Sequence, residues 1–292
     1  MLLQQVVNGL TLGAAYTLVA LAFSLVMGVL GILNLAIAEL FMIGAYVGLT
    51  VLVAGYPIPV ALIAAMLAGG LLSLLIEKVA YEPLRNSPLV TPMLSTIGVS
   101  IILQNVATNI WGSDPYQLPD EYLGQRLDLG IFSIGEMQLI VIGAAVGLVA
   151  LLGFLVERTS IGRALRAVAE NADVARLLGV SATRLTLVAF LISGALAGAA
   201  GLLIALHYAA VTPYIGVETG LKAIAVMVIG GVTRIWGALL AGPLIGLAEV
   251  LTVAYGGAAL RDFIVYGFMI VILLVRPAGL LGNRGADEGK RL

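Results

Sequence analysis

One carboxyl group and one amide stand inside an apolar stretch of the chain. The stretch is residues 28–44, GVLGILNLAIAELFMIG, and the two polar side chains are Asn34 and Glu39. A charged carboxylate that faces lipid costs several kcal/mol, so Glu39 is expected to face a bundle interior, water or a partner. Asn34 has a simpler explanation as an alternative, since asparagine is a preferred helix N-cap. The chemistry indicated is a translocation pathway or a polar helix contact inside a membrane.

Further polar side chains lie in other apolar segments. Thr96 and Asn105 fall early and late in one segment, and side chains of these types bond within or between membrane helices. Glu218 and Lys222 stand four residues apart with the acid first, which predicts an ion pair along one helix, with a substrate contact as the alternative for Lys222. Glu249 has no evident partner nearby in the sequence. The candidate pathway residues are Asn34, Glu39, Thr96, Asn105 and Lys222.

The motifs of catalysis and metal binding are missing from the sequence. The chain has no cysteine, which excludes disulfides, thiolate metal sites and cysteine nucleophiles. It also lacks G-x-x-x-x-G-K-[ST], H-E-x-x-H and G-x-S-x-G. The only histidine, His207, is expected to be structural. We therefore expect no enzyme, no metal site and no cofactor held by this chain, and the net charge of −1 argues against nucleic-acid binding.

The composition is that of a membrane protein. Of 292 residues, 61% are hydrophobic and 11% are charged, and the mean hydropathy is +1.11. Apolar stretches long enough to cross a bilayer recur along the whole length, which predicts a single all-α polytopic domain over residues 1–292. We expect about 8–9 transmembrane segments, some of them broken or re-entrant. The expected segments are 6–30, 35–54, 58–77, 90–110, 137–156, 185–207, 219–232, 236–256 and 261–275.

Several of these segments are expected to be interrupted. Residues 219–232 are too short for a full crossing and form either a half-helix or part of a re-entrant hairpin. The pair Gly230-Gly231 predicts an unwound break, and Pro92, Pro213 and Pro243 predict further interruptions. Broken helices at membrane depth are tolerated where they are buried or line a cavity, which favours a transporter over a simple anchor.

The basic residues set an expected orientation. Four connecting segments hold twelve of the 15 Lys and Arg residues, which places these segments in the cytoplasm. The N-terminus is then outside and the C-terminus inside, provided that 219–232 crosses the membrane. On this basis residues 111–136 form an external acidic loop, 157–185 a cytoplasmic loop and 276–292 a cytoplasmic tail.

The loop at residues 157–185 is predicted to contain one or two short amphipathic helices. Thr159 or Ser160 is a good N-cap for the first helix, Asn171 can cap the second, and Gly179 is placed to end it. Such helices either lie in the lipid interface or dock a soluble partner, and the residues leave both possibilities open.

Five stretches of the sequence, taken in order, carry a family resemblance. They are NGLTLGAAYTLVALAFSLVMGVLGILNLA, EPLRNSPLVTPMLSTIGVSIILQN, GRALRAVAENADVARLLGV, GLKAIAVMVIGGVTRIWGALLAGPLIGLAEV and RPAGLLG. Together they resemble the LivH-type permease subunits of bacterial branched-chain amino-acid ABC transporters over nearly the whole chain. Where that family has a pattern close to N-F-A-H-G-E, this sequence has N-L-A-I-A-E, so Asn34 and Glu39 match while Ile37 and Ala38 differ.

The resemblance implies a subunit of an ATP-driven importer in the bacterial inner membrane, which translocates branched-chain or other hydrophobic amino acids. Its implied partners are a homologous second permease, two cytoplasmic ATP-binding subunits that bind ATP and Mg, a periplasmic or extracellular substrate-binding protein, and membrane lipid. The implied ATPase-coupling residues are Arg163, Arg166, Glu170, Asn171, Ala172, Ala175 and Gly179. The alternatives are a permease for urea or short amides, which resemble the same family, and an ion-coupled secondary transporter in which Glu39 binds a proton or cation.

Overall fold

A computed structural model describes residues 2–85, 87–118, 126–128 and 133–282 of the chain. Eleven α-helices account for most of these residues. They are α1 Leu2–Leu30, α2 Ile37–Val53, α3 Ile58–Ile76, α4 Val90–Trp111, α5 Glu136–Arg158, α6 Ser160–Glu170, α7 Ala172–Leu177, α8 Ala182–Tyr208, α9 Ile215–Gly230, α10 Ile235–Gly256 and α11 Arg261–Val275. A π-helix (Glu77–Tyr81) and a 3₁₀ turn (Glu82–Leu84) follow α3, and a second 3₁₀ turn (Ala258–Leu260) precedes α11.

Helices α1, α2 and α8 form the centre of the bundle, and glycines set how closely they approach their neighbours. A Cβ atom added at Gly201 of α8 would overlap the carbonyl oxygen of Phe41 in α2. One added at Gly198 would overlap the carbonyl oxygen of Ala65 in α3. Gly246 of α10 lies against the backbone of α1 in the same way. Such backbone contact lets membrane helices pack by van der Waals forces where no hydrophobic effect drives them together.

The prediction of an all-α polytopic membrane protein is confirmed. Within the described residues, seven helical segments are long and apolar enough to cross a membrane, and α2 is a shorter apolar helix. Their outer faces carry large exposed apolar side chains, as lipid contact requires. Helix α9 begins four residues earlier than expected and has 16 residues, about 24 Å at 1.5 Å per residue.

The breaks fall at glycines more than at prolines. Gly231 has a φ of +104° and separates α9 from α10, as the Gly230-Gly231 pair predicts. Pro92 lies in the first turn of α4 and Pro213 in the connection before α9, where neither proline interrupts a helix. The interruption expected at Pro243 is wrong, because α10 runs unbroken through that residue. Gly13 of α1 lies against the backbone of Pro243.

Three contacts bring the basic connecting segments to one end of the bundle. Arg85 donates from Nη1 to Oγ1 of Thr183, 2.8 Å away, which joins the turn after α3 to the start of α8. Trp236 Nε1 donates to Glu157 Oε1 at 3.2 Å, which joins α10 to the end of α5. The amide of Leu280 donates to the carbonyl of Ile229 at 2.7 Å, so the segment after α11 caps the end of α9. We refer to this end of the molecule as the basic end.

The opposite end carries the short strands. Strand β1 (Tyr116–Gln117) pairs antiparallel with β4 (Ala210–Val211), and β2 (Arg126–Asp128) pairs with β3 (Ser133–Gly135). The β1–β4 pair ties the segment after α4 to the segment between α8 and α9. Parts of the loop predicted at 111–136 and most of the tail predicted at 276–292 lie outside the described residues.

Candidate functional site

A short non-helical segment joins α1 to α2 inside the bundle. It comprises residues 31–36, of which Asn34 is 1% exposed. The alternative that Asn34 is the N-cap of α2 is wrong, because the helix starts at Ile37 with Ala36 at the cap position. Asn34 instead accepts a hydrogen bond from the amide of Ala36 at 3.1 Å, and its Nδ2 has no partner among the described residues. The segment is irregular backbone held within protein, as membrane depth requires.

Glu39 lies in the first turn of α2 and is fully buried. Its Oε1 accepts two hydrogen bonds from α4, one from the Ser100 hydroxyl at 2.9 Å and one from Gln104 Nε2 at 2.8 Å. Its Oε2 has no hydrogen-bond partner among the described residues. Of the three surroundings expected for Glu39, the bundle interior, water or a partner, the structure shows the bundle interior, and Oε2 is available to another donor.

The first turns of two short helices meet at this carboxylate. In α9, Gly216 stands where an added Cβ atom would lie 3.0 Å from Glu39 Oε2, and one at Gly220 would lie 2.7 Å from Ala38 Cβ. A helix N-terminus carries roughly half a positive elementary charge. Glu39 therefore sits beside two partial positive charges, those of α2 and α9, which favour a carboxylate that forms no ion pair with any described residue.

Helix α4 is attached to α2 and to the segment before α2 by a row of polar side chains on one face. Thr96 Oγ1 accepts from the amide of Leu35 at 3.3 Å, and Ser100 and Gln104 follow at intervals of four residues to bond Glu39. We call Thr96, Ser100 and Gln104 the α4 ladder. Beyond it, Trp111 Nε1 donates to Thr50 at 2.9 Å, so hydrogen bonds join the two helices along most of their length.

The sequence prediction located part of this junction and missed the rest. Asn34, Glu39 and Thr96 lie along it, whereas Asn105 is on the opposite, exposed face of α4 and donates to the carbonyl of Ile101. Ser100 and Gln104 were not predicted as partners of Glu39. Their spacing from Thr96 is a usable signal, since positions 96, 100 and 104 share one helix face.

Lys222 belongs to a separate group of charges. Its Nζ lies 2.6 Å from Glu249 Oε1 and 3.3 Å from Asp262 Oδ1, and both Lys222 and Glu249 are almost fully buried. Glu249 also accepts from the Tyr16 hydroxyl at 2.9 Å and lies 3.3 Å from Arg261 Nε. We call these five residues the ion cluster. It joins α1, α9, α10 and α11.

The predicted ion pair between Glu218 and Lys222 is wrong. Lys222 bonds across to α10 and α11 instead, and Glu218 lies 3.9 Å from Arg261 Nη2 with its side chain 68% exposed. A buried ammonium gains more from a second buried charge than from an exposed one four residues away. The ion cluster also supplies the partners that the sequence did not reveal for Glu249.

Helices α6 and α7 form a compact unit over residues 159–181, which we call the coupling unit after the role that the family resemblance implies for it. Thr159 Oγ1 accepts from the amide of Gly162 and caps α6, and Asn171 Oδ1 accepts from the amide of Asp173 and caps α7. Gly179, with a φ of +82°, follows the end of α7. These three predictions are confirmed, with Thr159 rather than Ser160 as the first cap. Leu165 and Val168 pack against Leu25 and Val29 of α1 and against the first turns of α8.

The coupling unit presents a mixed surface at the basic end of the bundle. Arg163, Arg166, Glu170, Asn171 and Gly179 are exposed, Ala172 is half-buried, and Ala175 is buried among the residues that join the unit to α8. Two apolar residues, Leu177 and Leu178, lie at the end of the second helix. The structure leaves them 87% and 77% exposed, so they form an apolar tip beside the charged residues.

Comparisons with known proteins find relatives over nearly the whole chain. A family model described as branched-chain amino acid transport system / permease component matches residues 5–273. The chain is 36% identical to the high-affinity branched-chain amino acid transport system permease protein LivH of Salmonella typhimurium, over 98% of this chain and 97% of that protein. It is 34% identical to BraD of Pseudomonas aeruginosa, over 98% and 97%, and 29% identical to a probable LivH of Methanocaldococcus jannaschii, over 91% and 88%.

Proposed function

The chain belongs to the family of permease components of branched-chain amino acid transport systems, and we propose that it is a membrane subunit of an ATP-driven importer of branched-chain or other hydrophobic amino acids. The observation that carries the mechanism is the meeting of two short helices at Glu39. Discontinuous helices whose first turns converge are where transporters bind solutes. We propose that the substrate route borders Asn34, Glu39 and Thr96.

Hydrogen bonds along the α4 ladder suit a contact that opens and closes. Ser100 and Gln104 hold α4 to Glu39 of α2, and Thr96 holds it to the segment before α2. Each such bond contributes about 0.5–1.5 kcal/mol net as long as its groups find new partners when it breaks. We propose that α4 moves against α2 during transport and that the free Oε2 of Glu39 is uncovered as it does. The Glu39 side chain then faces the substrate route, where its Oε2 can accept a hydrogen bond from the ammonium group of a zwitterionic solute.

We propose that the basic end faces the cytoplasm and that α2 and α9 complete a set of nine membrane segments. The positive-inside rule supports this orientation, because the turn after α3, the coupling unit, Arg234 and the segment after α11 all lie at that end. The N-terminus is then outside and the C-terminus cytoplasmic.

The coupling unit is proposed to dock one of the two ATP-binding subunits, which bind ATP and Mg. Its exposed Leu177 and Leu178 offer apolar contacts, and Arg163, Arg166 and Glu170 offer charged ones. Because the coupling unit packs on α1 and α8, a displacement of the unit is transmitted to the helix bundle. A second permease and an external substrate-binding protein complete the proposed assembly.

We expect Gly179→Val to reduce co-purification of the ATP-binding subunits about tenfold, because a β-branched residue at a φ of +82° costs roughly 1–2 kcal/mol and disturbs the end of α7. Gly55→Val is the matched control, since Gly55 has a φ of +90°, open space around it and a place between α2 and α3 at the other end. Equal loss of the subunits from both variants would contradict the docking role.

The proposed function is tested by reconstitution in lipid vesicles. The chain alone, and the chain with its second permease, ATP-binding subunits and binding protein, are assayed for uptake of radiolabelled leucine. We expect leucine uptake only from the full set of proteins, and only when ATP is present on the side of the membrane that holds the ATP-binding subunits. Added urea should compete little with leucine for uptake. Uptake by the chain alone under an ion gradient would instead establish a secondary transporter. Preferred uptake of urea would show that urea, and not a branched-chain amino acid, is the substrate.

A further inference from the structure

Three aromatic rings pack together at the end of the bundle that carries the short strands. Trp111, the last residue of α4, stacks on Tyr46 of α2 with ring centroids 4.9 Å apart and 23° between the ring planes. Tyr116 of β1 packs against the same tyrosine, with its ring centroid 6.4 Å away. We call these three residues the aromatic cluster. It joins the outer half of α2, the end of α4 and the β1–β4 pair at one point.

The aromatic cluster lies above Glu39 along the contact between α2 and α4. Tyr46 stands seven residues after Glu39 on α2. Trp111 stands seven residues after Gln104 on α4. Seven residues are close to two helical turns, so each ring shares a helix face with its polar counterpart and lies about 10 Å further from the basic end. The contact is therefore closed at two levels, by hydrogen bonds at Glu39 and by aromatic rings above them.

The β1–β4 pair covers Glu39 on the side of α9. Strand β4 contacts α2 and lies between the end of α8 and the start of α9. Its Val211 is fully buried and pairs with Tyr116 of the aromatic cluster. Gly216, in the first turn of α9, lies beside Glu39 Oε2. The strand pair therefore stands on the outer side of the carboxylate oxygen that has no partner among the described residues.

The contacts of α2 differ between its two neighbours. Towards α8, α2 packs backbone against backbone, because a Cβ atom added at Gly44 would overlap the backbone of Gly198. Towards the end of α4, it packs through aromatic side chains. The Tyr46 hydroxyl is buried there without a hydrogen-bond partner among the described residues. An unpaired buried hydroxyl disfavours the closed arrangement, and water can pair with it once the rings separate.

A strained residue lies at the end of the strand pair. Ala209 has a φ of +54°, and it is the one non-glycine residue with a positive φ in the part of the chain that the structure describes. Its carbonyl accepts from the amide of Leu118 at 2.9 Å, which extends the β1–β4 pairing by one position. Strain of this kind persists where surrounding contacts hold it, and it is common in segments that switch. Release of the strand pair would let Ala209 relax.

We propose that the aromatic cluster and the β1–β4 pair form the outer gate of the substrate route and that this structure shows the gate closed. The inference rests on the proposed function, in which the route borders Glu39 and the strand-bearing end faces outwards. Opening separates Trp111 from Tyr46 and moves β1 away from β4, which admits a solute to Glu39 Oε2. One movement of α4 breaks the ring stack and the hydrogen bonds at Glu39 together, because both lie on the same face of α4.

A disulfide across the strand pair tests the gate, and the natural absence of cysteine leaves no background in this chain. Gln117 and Ala210 face each other as a non-hydrogen-bonded pair, since the bond to Ala209 is made by the next residue of β1's segment. Such pairs have Cα atoms about 4.5 Å apart, which suits a disulfide. Gln117→Cys/Ala210→Cys is oxidised in the reconstituted transporter. We expect leucine uptake to fall below about one-tenth and to return on reduction, because a locked gate stops the transport cycle.

The control disulfide is placed where it does not cross the gate. Leu127→Cys/Ile134→Cys joins facing positions of β2 and β3, which lie within one connection between α4 and α5. Uptake by this variant should stay near that of the unmodified transporter after oxidation. The unmodified transporter and the two single variants, Gln117→Cys and Ala210→Cys, receive the same oxidant to control for effects on the other subunits.

A second test asks whether the rings themselves block access to Glu39. Ser100→Cys places a thiol beside Glu39, and a membrane-impermeant methanethiosulfonate reagent is added to the transporter from the outer side. Ser100→Cys/Trp111→Ala should react about tenfold faster than Ser100→Cys, because loss of an aromatic pair shifts the closed state by about that factor. Ser100→Cys/Trp111→Phe is the matched control, since phenylalanine keeps a ring over Tyr46, and it should react as slowly as Ser100→Cys.

The outcomes separate the gate from the proposed function. Full uptake by a transporter whose disulfide between positions 117 and 210 is confirmed by mass would overturn the gate. Equal reaction rates in the three Ser100→Cys proteins would also overturn it and would leave the rings as a static anchor at the membrane surface. The reaction of the thiol requires no transport. Failure of the unmodified full set to take up leucine with ATP would therefore reject the proposed function without deciding the gate, which the reaction rates decide.

Discussion

Glu249→Leu is expected to lower the free energy of unfolding by about 3–5 kcal/mol, because it removes the acid from a buried ion pair and leaves the buried ammonium of Lys222 without a buried counter-charge. Lys222 is almost fully buried, and its remaining partner, Asp262, is 3.3 Å away with its side chain 60% exposed. The Tyr16 hydroxyl loses its acceptor at the same time. The unfolding transition in detergent, followed by circular dichroism, measures the change.

The double variant Lys222→Met/Glu249→Leu is expected to recover most of that loss. Replacing both partners of a buried pair with apolar side chains of similar volume is often neutral, since no buried charge remains. Glu218→Gln is the control within the same region and should cost less than about 1 kcal/mol, because that carboxylate is exposed and 3.9 Å from its partner. A double variant no more stable than Glu249→Leu would show that the ion cluster does not act as a paired unit.

Glu39→Leu is expected to reduce leucine uptake by the reconstituted transporter to less than about one-tenth. It leaves the donors of Ser100 and Gln104 without their acceptor, and each unpaired buried donor costs roughly 1–3 kcal/mol. Helix α4 then loses two of its hydrogen bonds to α2. Uptake is measured with saturating and with limiting binding protein, so that the maximal rate and the apparent affinity are separated.

Glu39→Gln distinguishes two roles for the side chain. A glutamine oxygen still accepts from Ser100 and Gln104, so uptake should return to within about threefold of the unmodified protein if the α4 ladder is what matters. Uptake as low as that of Glu39→Leu would show that the charge acts on the solute itself and would contradict the ladder as the main role. Ser73→Ala, which removes a buried hydrogen bond between α3 and α8, should leave uptake nearly unchanged.

Features decided by neighbouring residues were predictable from the sequence. The caps at Thr159 and Asn171 and the turn at Gly179 depend on hydrogen bonds and backbone angles within a few positions, and all three were found. The unwound Gly231 is of the same kind. The apolar segments followed from length and hydropathy alone.

Features decided by distant parts of the chain were not predictable in the same way. Glu39 bonds to residues 61 and 65 positions away, and Lys222 bonds to Glu249, 27 positions away, in preference to the acid on its own helix. No local sequence pattern predicts which face of α4 contacts α2. The exposure of Leu177 is another feature of this kind. Whether an apolar residue at a helix end is buried depends on where the neighbouring helices lie, which the local sequence does not specify.

The two tryptophans of the chain stand at contacts that make them natural fluorescence reporters. Trp111 stacks on Tyr46 with ring centroids 4.9 Å apart and bonds Thr50, whereas Trp236 is 64% exposed and bonds Glu157 beside the coupling unit. Emission from Trp111 is therefore sensitive to the separation of α4 from α2, and emission from Trp236 to events at the basic end. Replacing one tryptophan at a time with phenylalanine yields two single-tryptophan proteins. The intrinsic fluorescence of each then reports on one end of the molecule without an added label.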